Sequence, residues 1–154
     1  MNIVQEIQKA IAVKPGQMTA STAITGVLID TQSLGQSPQR AQIAVYLDDT
    51  GSADADISEL WLLESDESGF SPSNVVPGSQ FNIDSGTLPV HTDYPEFVAW
   101  NIDLQARKRY LKVHIKDGAG SNPPFIFGIA LLGDLAVQQS PASQSQGAAQ
   151  TLNV

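Results

Sequence analysis

The sequence has no cysteine, which excludes a disulfide framework and a thiolate zinc site. It is also poor in charge, with only 16% of its 154 residues Asp, Glu, Lys or Arg. Positive charge is scarcest: 8 Lys and Arg stand against 16 Asp and Glu, a formal net charge of -8. A chain of that sign repels phosphate backbones, so no nucleic-acid partner is expected. Long apolar runs are missing. Phe125 to Leu132 is among the longest and is far too short to span a bilayer, so no membrane partner is expected. The N-terminus lacks the basic start and apolar stretch of a secretory signal, and a cytosolic origin is expected.

Catalytic and metal motifs are missing as well. There is no Gly-x-Ser-x-Gly elbow, phosphate-cradling glycine loop or dinucleotide fingerprint. Neither His91 nor His114 has a metal-like partner at short spacing. Asp48, Asp49, Asp54 and Asp56 would suit calcium as oxygen ligands, yet they lack the EF-hand order and its closing glutamate. Glu64, Asp66 and Glu67 share one tight turn, whereas glycosidase carboxyls must flank a cleft. The expectation is therefore no enzyme, no cofactor and no metal.

What is present is period-two alternation. Ala41, Ile43, Val45 and Leu47 alternate with Gln42, Ala44 and Tyr46. Val98, Trp100, Ile102 and Leu104 alternate with Ala99, Asn101 and Asp103, which points Trp100 to the core. Leu111, Val113 and Ile115 repeat the pattern, as do Phe125, Phe127, Ile129 and Leu131. Gly26 to Thr31 and Gln80 to Asp84 are further strand candidates. Ile57 to Glu64 is apolar on both faces near its end and reads as a central or interface strand. Gly, Pro, Asn and Asp clusters separate these runs. The length favours one domain, and the pattern predicts an all-β antiparallel sandwich, jelly-roll-like, over residues 17–137.

Two terminal segments differ from that body. Residues 1–16 read as a short arm or helix, because Ile3, Ile7 and Ile11 recur every four residues before Lys14-Pro15-Gly16. So short a helix is marginal alone and needs a surface to dock on, its own body or a neighbour. Residues 138–154 are low in complexity: 138 to 150 is almost entirely Gln, Ser, Ala, Gly and Pro. Such a tail cannot offset its ordering entropy by itself. It needs a partner surface, with Leu152 and Val154 as apolar anchors.

Arg107-Lys108-Arg109 is the one basic run, extended by Lys112 and Lys116. It fits a salt-bridging patch that meets an acidic neighbour. Trp61 is expected in the core or at a subunit contact, with carbohydrate stacking as the alternative use of either tryptophan.

The stretch from Ile24 to Leu135 resembles a family of small bacteriophage virion proteins of the capsid decoration, or cement, type. The resemblance rests on Gly26-Val27-Leu28-Ile29-Asp30-Thr31, Leu63-Glu64-Ser65-Asp66-Glu67-Ser68-Gly69, Arg107-Lys108-Arg109-Tyr110-Leu111-Lys112-Val113 and Gly128-Ile129-Ala130-Leu131-Leu132-Gly133, in that order. The Asp48–Asp56 loop and the Pro72–Pro95 region depart from the shorter relatives. The similarity implies a location on the outer capsid surface of the virion, the major capsid protein as partner, and a homotrimer. It implies no catalytic residue. The partner-binding expectation falls on Ile3, Ile7, Ile11, Arg107, Lys108, Arg109, Leu152 and Val154. The alternative is a virion adhesin that binds host carbohydrate.

Overall fold

The computed structural model describes residues 8–32, 38–48, 57–81, 96–118, 123–133 and 150–154. These residues form two β-sheets enclosing one core. The strands are β1 (Gln8–Gln17), β2 (Ala23–Thr25), β3 (Ile29–Asp30), β4 (Arg40–Asp48), β5 (Ile57–Ser65), β6 (Asn74–Val75), β7 (Glu96–Asp103), β8 (Tyr110–Asp117), β9 (Phe125–Gly133) and β10 (Gln150–Asn153). One sheet has the order β1-β9-β4-β7-β10; the other runs β2-β8-β5-β6, with β3 also on β8.

The order follows from nested antiparallel pairing. β1 pairs with β9, β2 and β3 with β8, β4 with β7, and β5 with β6. The chain is thus one long double strand whose tip is β5–β6. Rolling it up adds the β4–β9 and β5–β8 ladders, which close the two sheets. That wrapping is the jelly roll, so the all-β sandwich reading holds.

Alternation decides which side chains are inside. Ile43, Val45, Leu47, Val98, Trp100 and Ile102 face Leu60, Leu62, Leu111, Val113 and Ile115 across the core. Trp100 is fully buried and packs edge-on against Phe81 at 5.2 Å. Its indole Nε1 donates to the Ser79 carbonyl at 2.7 Å. Ser79 is itself buried, donating through Oγ to Val76 O and accepting from Leu62 N–H. The buried polar atoms of this corner are therefore paired, as burial requires.

Of the arm or helix expected over 1–16, residues 8–16 are described, and they are strand and not helix. Residues 8–17 form an edge strand of the β1-β9-β4-β7-β10 sheet. The ladder offered by β9 outweighs the local periodicity, and Ala12 and Val13 enter the core. Lys14-Pro15-Gly16 does not end the segment. Register shifts between Ile11 and Val13 and between Val13 and Gly16 carry the strand past Pro15. Proline is tolerated at such an edge bulge, and the bulges blunt the edge against further pairing. The strand candidate Gly26 to Thr31 is also broken: β2 ends at Thr25 and β3 starts at Ile29. Gln80 to Asp84 leaves only a bridge between Phe81 and Leu60 among the described residues.

Candidate interaction surfaces

The basic run is fastened within the chain. Arg107, mostly buried, pairs with Glu64 at 3.8 Å, and Lys108 pairs with Asp66 at 3.4 Å. The Lys108 N–H donates to Glu64 Oε2 at 3.2 Å. Arg109 grips Asp30 through Nε and Nη2, both at 2.8 Å. That bidentate bond holds the Asp30 carboxyl below its ordinary pKa, outweighing the opposing effect of burial. Thr31 Oγ1 donates to Arg109 O, tying the same corner together. Lys112 lies over the Phe70 ring at 4.6 Å. The three segments around Asp30, Glu64–Asp66 and Arg107–Arg109 thus meet at one end of the sandwich as a clasp. The salt bridging expected of the run is found here within the chain, with Glu64, Asp66 and Asp30. Arg107 and Arg109 precede β8 and do not join the Lys112–Lys116 face.

That face is the outside of the sheet built on β5 and β8. Trp61 lies half-buried there, stacked on His114 with centroids 4.4 Å apart and planes 11° apart. His114 Nε2 meets Glu59 Oε2 at 2.7 Å, and Lys116 donates to Glu59 Oε1 at 3.2 Å. Together, and led by the His114 hydrogen bond, they hold the Glu59 carboxyl below its usual pKa. Trp100, by contrast, is sealed in the core and presents no ring to a ligand.

The outside of the β1-β9-β4-β7-β10 sheet is different in kind. Cross-strand register sets Ile11, Ile129 and Ala44 in one row, and Phe127, Tyr46 and Phe97 in the next. Phe125 follows beside Asp48, and Leu131 lies at the other end. Ile11 is 50% exposed, Phe97 40% and Phe125 42%. Tyr46 and Phe97 pack ring to ring at 4.9 Å. Lys9, Arg40, Asp48 and Asp103 border this face, so its described charges balance in a chain of net charge -8. The expected site residue Ile11 belongs here; Ile3 and Ile7 lie outside the described residues. Sequence reasoning missed Phe97 and Phe125, although Phe125 to Leu132 is apolar at both parities. That doubling was the available signal.

Leu152 and Val154 lie against their own chain. β10 pairs in parallel with β7, setting Leu152 beside Trp100 and Asn153 beside Asn101. Val154 N–H donates to Asn101 O at 2.9 Å, and Asp103 N–H donates to Val154 O at 2.8 Å. Both apolar side chains are half-buried on the core. For residues 150–154 the surface the tail was expected to need is thus supplied in cis, at the β7 edge of the sandwich; 138–149 lie outside the described residues.

At the opposite edge a cleft of about 470 Å³ lies between β1 and the β2–β3 crossing, lined in part by Val13, Gln17, Ile24 and Ile126. No group of His, Asp or Glu suited to a metal ion occurs among the described residues. His91, Asp49, Asp54 and Asp56 lie outside them. No family model, curated protein or solved structure matches the chain.

Proposed function

We propose that the chain is a non-enzymatic structural protein of a bacteriophage particle: a decoration, or cement, protein. It lays the outer face of its β1-β9-β4-β7-β10 sheet on the capsid exterior and bridges neighbouring major capsid subunits. One observation carries this reading, the apolar and charge-balanced face around Ile11, Phe97 and Phe125 on an otherwise acidic protein. Contiguous apolar surface on a soluble chain marks a docking site, and balanced charge there avoids repulsion from a partner of either sign. The resemblance of the four motifs to phage virion proteins supplies the particle. The jelly roll is compatible with viral capsid domains but also with lectins, so the fold alone decides nothing. A symmetric trimer would multiply modest contacts through effective concentration.

The test uses capsids stripped of this protein, wild-type protein and a Phe97→Ser/Phe125→Ser variant. Each ring leaves ~90 Å² of apolar surface to cover, about 2 kcal/mol or ~30-fold in affinity. Capsid occupancy should collapse at a temperature where circular dichroism shows the free variant still folded; its melt falls, because the rest of each ring packs within the chain. Full occupancy by the variant refutes the reading. A second reading, an adhesin that stacks a host glycan on tryptophan, is favoured by the partly open Trp61 beside Glu59, His114 and Lys116. Glycan binding abolished by Trp61→Ala, with capsid occupancy intact, would select it.

A further inference from the structure

We propose that the C-terminal strand is exchanged between copies: where molecules are held side by side, β10 of one chain seats on β7 of the next. This goes beyond the docking reading and holds whichever surface the outer face covers. β10 forms the only parallel ladder among the described strands, and it fills an edge that would otherwise open onto Trp100. The seat is well defined. It comprises the Asn101 carbonyl, the Asp103 N–H, the Asn101 side chain donating to Asn153 Oδ1 at 3.1 Å, and the floor under Leu152 and Val154.

Nothing in that seat distinguishes its own tail from a neighbour's, since exchange re-forms identical contacts. The choice then rests on the tether. Gly133 and Gln150 are joined by sixteen residues, 134–149. Across the sheet, from the Gly133–Arg40–Asp103 row to the Val98 row and three strands over, the path is about 22 Å. Sixteen residues reach about 50 Å at full extension, more than twice that path. That number of residues suffices both to close within the chain and to reach past it. Cis seating then corresponds to an effective concentration on the order of millimolar, which a neighbour in a packed shell or ring matches. Donor strand and acceptor edge are different surfaces, so exchange is satisfied reciprocally in a pair or head-to-tail around a larger ring. A closed ring leaves no edge unfilled.

The chain lacks cysteine, which makes the test direct. Full-length Asn101→Cys protein is mixed with differently tagged Asn153→Cys protein in a glutathione redox buffer. These positions are register partners on exposed or half-buried sites, and a disulfide between them in this mixture joins two molecules. Asn153→Cys mixed with Thr22→Cys, exposed beside β2 on the other sheet, measures random collision. The 101–153 heterodimer should exceed that control at least about tenfold near 1 mM protein, and fall roughly in proportion on dilution. A yield no greater than the control overturns the proposal. In that case, closure of the Asn101→Cys/Asn153→Cys double variant within single chains would assign the strand to cis closure alone.

Discussion

Gly26 is where the two sheets are sewn together at their β1–β2 edge, and replacing it by alanine should be among the most damaging single-methyl changes in the chain. Its N–H donates to Val113 O, on β8 of one sheet, at 2.7 Å. The next residue, Val27, donates to Ala12 O, on β1 of the other, at 2.8 Å. A methyl built on Gly26 would overlap the Ala12 carbonyl oxygen and come within 3.3 Å of Val113 N and O. All three obstacles are backbone, so no side chain can swing aside. The crossing must open by about an ångström. Overpacking of that kind costs about 1–3 kcal/mol, and orphaning a buried N–H costs about 1–3 kcal/mol more. A total near 4 kcal/mol lowers the melting temperature by about 8–16 °C for a domain of this size. Gly16 is the control. A methyl there meets nothing within 4 Å, so Gly16→Ala should be neutral or stabilise by up to ~1 kcal/mol. Thermal and urea unfolding followed by near-ultraviolet circular dichroism measures both. A Gly26→Ala melt within about 2 °C of wild type would refute the crossing argument. Equal loss in the two variants would show that the contact with Ala12 O is not the cause.

Within the clasp, burial decides which ion pair matters. Glu64→Gln leaves the mostly buried Arg107 without its carboxylate and should cost about 2–4 kcal/mol. Asp66→Ala breaks an exposed pair and should cost under ~1 kcal/mol; urea midpoints that reverse this order would count against the clasp. Trp100→Phe deletes the buried donor to Ser79 O and part of the ring, an expected loss of about 2–3 kcal/mol by the same measurement. For acid sensitivity, Glu59 and Asp30 both have folded-state pKa values depressed below 4.5 and 3.8. Their stabilisation is fully present above those unfolded values and is lost as pH falls through the lower folded ones. Stability should therefore decline below about pH 4.5, and Glu59→Gln should flatten the upper part of that decline. An acid limb unchanged in the variant would remove Glu59 from the explanation.

The strands of the body were legible because one face of each is buried. Ala41 to Leu47, Val98 to Ile102 and Leu111 to Ile115 carry strict alternation, and their apolar sets are the ones found inside. The N-terminal strand was not legible for a definite reason. A spacing of four, as from Ile7 to Ile11, keeps residues on one side of a helix and also on one side of a strand. The free edge of β9, which decides between them, is more than a hundred residues away. The clasp was half legible: the charges of Asp30, Glu64 and Arg109 are plain in the sequence, but their pairing spans up to 79 positions. Trp61 was ambiguous because its strand is apolar on both faces near its end. The tail's need for a surface followed from composition, whereas its seat on β7 required the open sandwich edge.

β9 poses the sharpest form of this problem, because both of its faces are apolar. Slipping a strand by one residue exchanges its faces, and hydrophobicity alone scarcely resists the exchange in Phe125 to Leu132. Gly128 supplies the resistance. It faces inward beside Val13, and a Cβ there would sit 3.0 Å from Val13 N, Cβ and Cγ2. In a slipped register Phe127 or Ile129 would have to enter that space, where even a Cβ already presses on Val13 and a larger side chain would press harder. Gly128 therefore turns Ile126, Ala130 and Leu132 to the core. By the same constraint it commits Phe125, Phe127, Ile129 and Leu131 to the outside. The apolar outer face is thus a consequence of the packing that fixes the register, and a larger residue at 128 would disturb the fold and the docking surface together.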